Sequence, residues 1–403
     1  MKTRHKIFSF IIPLIVFNLA SCGESPQPPK PIDDDDDKPE VIEYRELNAL
    51  SPYDGEYVYL VNDEMKEWAE NFSYDNVADK KYVTLKEHCA PKPVHLEWNL
   101  NEKTPLYYRV DLSENESFND SIGYTVYGKN FVDVSNLHVG KHYYWRVDAI
   151  FEEYIFRSVT FNFSTVLTPR TISIEGLSNT RDIGGYLTDN GKRVKQDLVY
   201  RCGMTEDVTT QKGRDDVRLT YKIKTELDLR NPDSIEFDKE SYIKNGTPLG
   251  KQVNWVNISA PSYVYTCSAF GLNNPDNNYE NDKIFGKEIK LFANKENYPI
   301  IFHCSAGRDR TGTLACILNA LLGVNELDLI MDYTASQFGF RSTADDPDYT
   351  QMYQTLLRPT LDFLNSFEGS SLSQKTENYL LERCDVTKDE IATIRNIMLE
   401  EVK

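Results

Sequence analysis

A cysteine and an arginine that stand six positions apart, Cys304 and Arg310, are the residues of this sequence best suited to chemistry. A thiolate is a strong nucleophile, and a guanidinium can hold two oxygens of a tetrahedral phosphate while it stabilises the charge of the transition state. Thr311 follows directly, so its hydroxyl could help the thiolate to leave when a thiophosphate is hydrolysed. The trio predicts attack of sulfur on the phosphorus of a phosphate ester.

The residues on both sides of this trio predict the elements that must position it. The apolar run Tyr298 to Phe302 is typical of a buried parallel strand, and the segment from Thr311 onward has the composition of a buried helix. A loop between a strand and a helix N-terminus directs backbone N–H groups and the positive end of the helix dipole at one point. We therefore expect an anion-binding loop that favours the thiolate of Cys304, with His303 orienting the loop through hydrogen bonds. An ordinary turn with a buried cysteine is the competing interpretation.

The string His-Cys-Ser-Ala-Gly-Arg-Asp-Arg-Thr-Gly, residues 303–312, resembles the signature of the cysteine-dependent protein tyrosine phosphatase superfamily. In detail it is similar to a bacterial and fungal branch of tyrosine and phosphoinositide phosphatases, which carries Lys where Arg308 stands. The resemblance implies that Cys304 is the nucleophile, that Arg310 binds phosphate and that Thr311 supplies the hydroxyl. It also implies a phosphate-binding loop formed by Ser305, Ala306, Gly307, Arg308 and Arg310.

Cleavage of a phosphate ester also needs a group that protonates the leaving oxygen and later deprotonates water. The resemblance implies Asp309 for this role, and Asp228 and Asp182 are the second and third candidates. Asp309 could instead brace the loop by accepting hydrogen bonds from backbone N–H groups. Asn179 to Gly185 resembles the Asn-x-Arg-Asp-x-Gly-Gly segment of the same branch, in which Arg181 and Asp182 either brace the active site or form an ion pair within a turn.

Residues 169–403 alternate apolar strands with helical segments, a pattern that predicts an α/β domain. We expect a mostly parallel central sheet with the site at the carboxyl ends of its strands. Near the end of the domain, Asn325 and Thr387 are predicted to cap two helices.

Residues 45–168 contain short runs of alternating apolar and polar residues that are rich in aromatic side chains, with Arg157 to Phe163 as one expected strand. They predict an all-β sandwich that resembles fibronectin type III domains, with Trp98 in its core. Another type of β-sandwich is the alternative.

The first residues predict export and anchoring. Residues 1–21 combine a basic start with the apolar stretch Ile7 to Ala20, as in a signal peptide too short to be a permanent membrane span. The sequence Leu-Ala-Ser before Cys22 resembles the lipobox of bacterial lipoproteins, which implies that Cys22 carries a lipid; a soluble secreted protein is the alternative. Residues 22–44 are rich in proline and aspartate and predict a solvated tether. We expect a membrane-anchored lipoprotein of the bacterial cell envelope, either periplasmic or surface-exposed.

The formal net charge of −18 at pH 7 argues against general nucleic-acid binding. Any attraction for an anionic substrate must therefore be local to the loop.

The seven cysteines show no paired CxxC spacing and no cluster with histidine, so neither a zinc site nor a dense disulfide framework is predicted. Cys316 is expected in the core. Chemistry at a thiolate needs no metal and no organic cofactor.

These observations predict a phosphatase that hydrolyses phosphate monoesters, with a phosphorylated protein, a phosphoinositide or both as the substrate. The second loop cation, Arg308, would suit a substrate with more than one phosphate. Tyr263 to Tyr279 is expected to form a lid whose depth selects the substrate. Two alternatives stand beside this prediction, an inositol polyphosphate phosphatase similar to the cysteine phytases and a catalytically inactive surface-binding lipoprotein.

Overall fold

A computed structural model of the chain describes residues 40–43, 46–77, 91–101, 104–231, 238–259, 280–339 and 353–402. Cys22, the predicted signal peptide and the predicted lid lie outside these ranges. The chain divides into two compact units. The first comprises Met1–Glu56, His95–Asp133 and His142–Phe163, and the second comprises Tyr57–Val94, Val134–Lys141 and Ser164–Lys403.

The described part of the N-terminal region contains ten strands. They are β1 (Glu40–Glu43), β2 (Asn48–Ser51), β3 (Glu56–Val58), β4 (Val94–Asn99), β5 (Tyr107–Ser113), β6 (Ile122–Val126), β7 (Phe131–Val134), β8 (His142–Ile150), β9 (Tyr154–Arg157) and β10 (Phe161–Thr165). One sheet runs in the order β1-β9-β8-β10-β3, with β5 and β6 continuing from β8, and β2, β4 and β7 form a second sheet. Trp98 is fully buried, as expected for a core residue.

The prediction of one strand over Arg157 to Phe163 was wrong, because two strands share this segment. Strand β9 ends at Arg157 and β10 begins at Phe161. Between them the Ser158 hydroxyl accepts a hydrogen bond from the N–H of Val147 at 2.9 Å. A side-chain oxygen thereby takes the place of a backbone carbonyl in the ladder and ends the regular pairing.

The second unit contains a six-stranded sheet of α/β type. Its strands are β11 (Arg170–Thr171), β12 (Arg181–Asp182), β14 (Val199–Cys202), β15 (Thr225–Asp228), β16 (Asn254–Asn257) and β17 (Ile300–His303). The order is β11-β12-β14-β17-β15-β16, in which the last four strands are parallel. Strands β13 (Lys192–Val194) and β18 (Leu399–Glu401) pair with each other. Strand β17 therefore lies between two parallel neighbours, so the loop at its carboxyl end is in the middle of the sheet edge.

Ten α-helices lie in the described ranges. They are α1 (Asp63–Glu70), α2 (Gln211–Asp215), α3 (Lys239–Asn245), α4 (Glu280–Leu291), α5 (Asp309–Leu322), α6 (Glu326–Thr334), α7 (Ser336–Gly339), α8 (Arg358–Asn365), α9 (Leu372–Arg383) and α10 (Lys388–Met398). Helix α5 is buried from Thr311 to its end, and Cys316 lies in the core as predicted. The predicted caps are confirmed, since the side chains of Asn325 and Thr387 accept hydrogen bonds from the backbones of α6 and α10.

Within the described ranges, every helix is too short or too polar to cross a bilayer.

Candidate active site

The loop after β17 runs from Cys304 to Arg308, because α5 begins at Asp309. The helix starts two residues earlier than the sequence suggested, which puts Asp309 and Arg310 in its first turn. Cys304 is nearly buried and precedes the helix N-terminus, where the helix dipole favours an anion. Gly307 has a φ of +67°, and a side chain there would collide with the carbonyl group of Cys202. Only glycine suits this position.

Side chains from two distant segments hold the carbonyl groups of this loop. The Asn179 amide donates hydrogen bonds to the carbonyl oxygens of Ala306 (3.2 Å) and Gly307 (3.0 Å). Nη2 of Arg201 donates to the Gly307 oxygen at 2.9 Å. Because these carbonyl groups are held by hydrogen bonds, the peptide planes of the loop are fixed. The directions of the loop N–H groups are then fixed as well, as the binding of an anion requires.

The two arginines behind the loop share one buried carboxylate, that of Asp332. Nη1 of Arg201 lies 2.5 Å from one carboxylate oxygen, and Nε of Arg181 lies 3.4 Å from the other. Arg181 also donates to the Ser336 hydroxyl at 3.1 Å and hydrogen-bonds the side-chain oxygen of Asn179. Burial would raise the pKa of Asp332, but the two guanidinium groups lower it below its ordinary value. The expectation that Arg181 braces the site thus has a structural basis.

Asp182 takes part in a different cluster. Its carboxylate accepts a hydrogen bond from Nη1 of Arg170 at 2.7 Å and from the backbone N–H groups of Gly184 (2.7 Å) and Asp197 (2.6 Å). Consecutive side chains of a strand point to opposite faces, which is why Arg181 reaches the loop scaffold and Asp182 does not. This placement argues against Asp182 as the general acid.

His303, which directly precedes Cys304, is fully buried and contacts two acceptors. Its Nε2 lies 2.8 Å from Oε1 of Glu226, and its Nδ1 lies 3.1 Å from the carbonyl oxygen of Cys304. Burial opposes the charged form, yet the carboxylates of Asp228 and Glu226 raise the pKa of His303 to about 9. At neutral pH it is therefore an imidazolium that donates both hydrogen bonds and adds positive charge next to Cys304.

Asp228 is fully buried and is held by Arg230. Nε and Nη2 of Arg230 each donate to one of its carboxylate oxygens at 2.9 Å. Burial raises the pKa of Asp228, but His303 and Arg230 outweigh that effect and lower it. A fully buried carboxylate that is bound on both oxygens cannot reach the leaving oxygen of a substrate, which argues against Asp228 as the acid.

Asp309 differs from the other two acid candidates because its side chain is 28% exposed. Nε of Arg308 lies 3.1 Å from one of its carboxylate oxygens, and Nη2 of Arg308 lies 3.5 Å from the other. Arg310 donates from Nη1 to the carbonyl oxygen of Leu229 at 3.2 Å, which anchors the guanidinium beside the loop. The buried Thr311 hydroxyl lacks a hydrogen-bond partner among the described residues, so it is available to a group bound at the loop.

The family model described as "Tyrosine phosphatase family" matches residues 172–400, more than half of the chain. The chain belongs to the tyrosine phosphatase family. Over 193 residues, the chain is 25% identical to a Cupriavidus necator protein assigned as a tyrosine-protein phosphatase. The match covers 41% of this chain and 62% of that relative.

Two solved structures resemble the family member weakly. One is the core catalytic domain of the PP-IP phosphatase Siw14 from S. cerevisiae in complex with citrate, with 18% identity, a TM-score of 0.24, and coverage of 42% of this chain and 85% of that one. The other is a Siw14 catalytic core, with 16% identity and a TM-score of 0.28. This match covers 52% of this chain and 96% of that one.

Several residues of this candidate site were not among the predicted site residues. They are Asn179, Arg201, Glu226, Asp332 and Ser336. A signal existed for most of them, since Asn179 begins the Asn-x-Arg-Asp segment, Arg201 lies in Tyr-Arg-Cys-Gly and Asp332 opens Asp-Tyr-Thr-Ala-Ser. Glu226 had a weaker signal, which is a carboxylate inside an otherwise apolar strand.

Proposed function

We propose that the chain hydrolyses phosphate monoesters through a cysteinyl-phosphate intermediate. The observation that carries the proposal is the position of Cys304 and Arg310 on either side of the N-terminus of α5, on a loop whose carbonyl groups are held by Asn179 and Arg201. The family match supports the same chemistry.

In the first step the Cys304 thiolate attacks phosphorus, and the bond between phosphorus and the leaving oxygen breaks. Asp309 gives its proton to that oxygen, while Arg310 and the loop N–H groups hold the three remaining oxygens. In the second step Asp309 accepts a proton from water, water attacks phosphorus, and sulfur leaves as a thiolate. The Thr311 hydroxyl, buried and without a described partner, would donate a hydrogen bond to the departing sulfur.

For the substrate we propose a phosphotyrosine protein, a phosphoinositide or both. The family match supports a phosphotyrosine substrate. Arg308 supports a substrate with a second phosphate only in part, because its Nε already pairs with Asp309. A second anionic group would have to compete with this carboxylate for the Arg308 guanidinium.

The test is phosphate release by the purified chain with a chelator present. The substrates are a phosphotyrosine peptide, a set of phosphoinositides and inositol hexakisphosphate. We expect turnover of at least one substrate by the wild type and none by Cys304→Ser, which keeps the size of the side chain but loses the nucleophile. Arg310→Lys keeps the charge but not the two-oxygen fork, and we expect it to lose at least 100-fold in kcat/KM. Absence of turnover by folded wild-type protein would contradict the proposal.

We further propose that Cys22 is lipidated and that the enzyme acts in the bacterial cell envelope, anchored to a membrane. The lipobox-like Leu-Ala-Ser-Cys is the support for this assignment. Labelling of cells with a fatty-acid analogue should mark the wild-type chain and leave Cys22→Ala unmarked. Equal labelling of both would contradict the assignment.

A further inference from the structure

Helix α1 (Asp63–Glu70) precedes the family segment 172–400 in the chain. Even so, Tyr57–Val94 falls in the same compact unit as Ser164–Lys403. Part of the chain that lies outside the matched family segment thus belongs to the unit that contains the candidate active site.

Two side chains of α1 are buried, Met65 and Trp68. With Val61 they form an apolar cluster with Ala335 and Phe338. The rings of Trp68 and Phe338 meet edge to face, with centroids 5.1 Å apart, a geometry that aromatic pairs prefer. The described contacts of Phe338 therefore include a side chain from outside the family segment.

Phe338 lies on α7 (Ser336–Gly339), a helix of four residues. A single helical turn has too few internal hydrogen bonds to be stable alone, so its position depends on what packs against it. The ring of Trp68 supplies one such contact.

The residues at both ends of α7 contact the groups that hold the phosphate loop. Ser336 accepts hydrogen bonds from Arg181 at 3.1 Å and from Arg201 at 3.4 Å. Gly339 lies so close to Asn179 that a Cβ atom on it would be 2.6 Å from the Cα atom of Asn179. A displacement of α7 would therefore move the side chains that bind the loop carbonyl groups.

We propose that Trp68 is a positioning residue of the phosphatase reaction, acting through Phe338 and α7 on Asn179 and Arg201 and through them on the loop. The inference rests on the proposed function, because its first test measures phosphatase activity. Reaction rates are sensitive to such shifts, because misplacement of about 1 Å by a distant substitution can cost roughly 100-fold in rate.

The test uses the whole chain with three substitutions. Trp68→Ala removes the ring, Trp68→Phe keeps an aromatic partner for Phe338, and Tyr57→Ala is a control at a 74% exposed position of the same segment. We expect kcat/KM for p-nitrophenyl phosphate to fall at least tenfold in Trp68→Ala, mainly through kcat. Trp68→Phe should stay within threefold of wild type and Tyr57→Ala within twofold.

Hydrogen exchange separates positioning from general stability. In Trp68→Ala the amides of residues 304–308 should exchange faster, while β14 (Val199–Cys202) and β15 (Thr225–Asp228) keep wild-type protection. Faster exchange throughout the sheet, or a folded Trp68→Ala within twofold of wild type in kcat/KM, would overturn the proposal. Trp68→Leu replaces Trp68→Ala under the same criteria if the alanine variant does not fold.

An inactive wild type would refute the proposed function without deciding this inference. Calorimetric titration with tungstate, a phosphate-like oxyanion, then decides it. Binding at least tenfold weaker in Trp68→Ala than in wild type would support the positioning role. Equal affinities, or no binding by the wild type, would refute it.

Discussion

The substitution Glu226→Gln tests whether the charge on His303 is set by the buried carboxylates of β15. Glu226 accepts a hydrogen bond from His303 at 2.8 Å, and the hydroxyl groups of Thr205 and Thr247 also hydrogen-bond its carboxylate. Glutamine keeps the shape and one acceptor oxygen but removes the charge. The pKa of His303, raised to about 9 in the wild type, should fall towards the ordinary value of about 6.5.

The size of the effect follows from linkage. Because the folded-state pKa of His303 lies above its unfolded value, its contribution to stability is fully present below about pH 6.5 and is lost as the pH rises through about 9. A rise of this size in the pKa of His303 corresponds to roughly 3 kcal/mol in the free energy of unfolding, since one pKa unit corresponds to about 1.36 kcal/mol. Asp228 supplies part of the attraction, so we expect Glu226→Gln to cost about 1 to 2 kcal/mol at pH 6 and far less at pH 9.5.

Urea denaturation at pH 6 and pH 9.5 measures this difference, and an NMR titration of the His303 ring reports its pKa directly. In kcat/KM we expect the alkaline limb to begin at a lower pH in the variant, because the imidazolium beside Cys304 is lost earlier. Glu240→Gln makes the same change at an exposed position and should have no effect. A stability loss that is the same at both pH values, with an unmoved alkaline limb, would refute the reasoning.

Three further substitutions test other parts of the site. Asp309→Asn should lower kcat by roughly 100-fold or more, with a larger loss for phenyl phosphate than for p-nitrophenyl phosphate, whose leaving group needs no proton; equal losses on both esters would contradict an acid role. Asp182→Asn leaves Arg170 with one carboxylate fewer and should lower the urea midpoint while kcat/KM stays within threefold; a tenfold fall would return Asp182 to the reaction. Gly307→Ala should abolish tungstate binding because the new methyl group meets the Cys202 carbonyl, and unchanged affinity would contradict the loop geometry.

The sequence was most informative where the residues of the candidate site are consecutive in the chain. Tyr298 to Thr311 predicted a strand, a loop and a helix N-terminus together, because each residue type serves one local geometry. The caps Asn325 and Thr387 were equally local. Asn179 and Arg201, in contrast, reach the loop across more than 100 positions of sequence. The segment that begins with Asn179 was identified by its resemblance, but the hydrogen-bond acceptors that Asn179 and Arg201 contact depend on the tertiary fold.

The three candidates for the general acid show the same limit of prediction from sequence. Asp182, Asp228 and Asp309 were ranked from motif context, while the degree of burial separates them in the structure. All three lie against a guanidinium group, but Asp182 and Asp228 are fully buried while Asp309 is partly exposed. Side-chain direction and partner identity, which decide whether a carboxylate can exchange a proton with substrate, are properties of packing and not of local sequence.

Among the described residues, the sharing of Asp332 by two arginines leaves one uncompensated positive charge behind the loop that follows β17. Arg181 and Arg201 carry two positive charges and Asp332 one negative charge, and all three are buried. The chain as a whole has a net charge of −18, and salt screens exposed charges within about 8 Å at physiological ionic strength. The buried excess charge is screened much less. A phosphorylated substrate is repelled by the net negative charge of the chain and attracted by the buried positive charge at the loop. Rising salt should therefore weaken the repulsion more than the attraction.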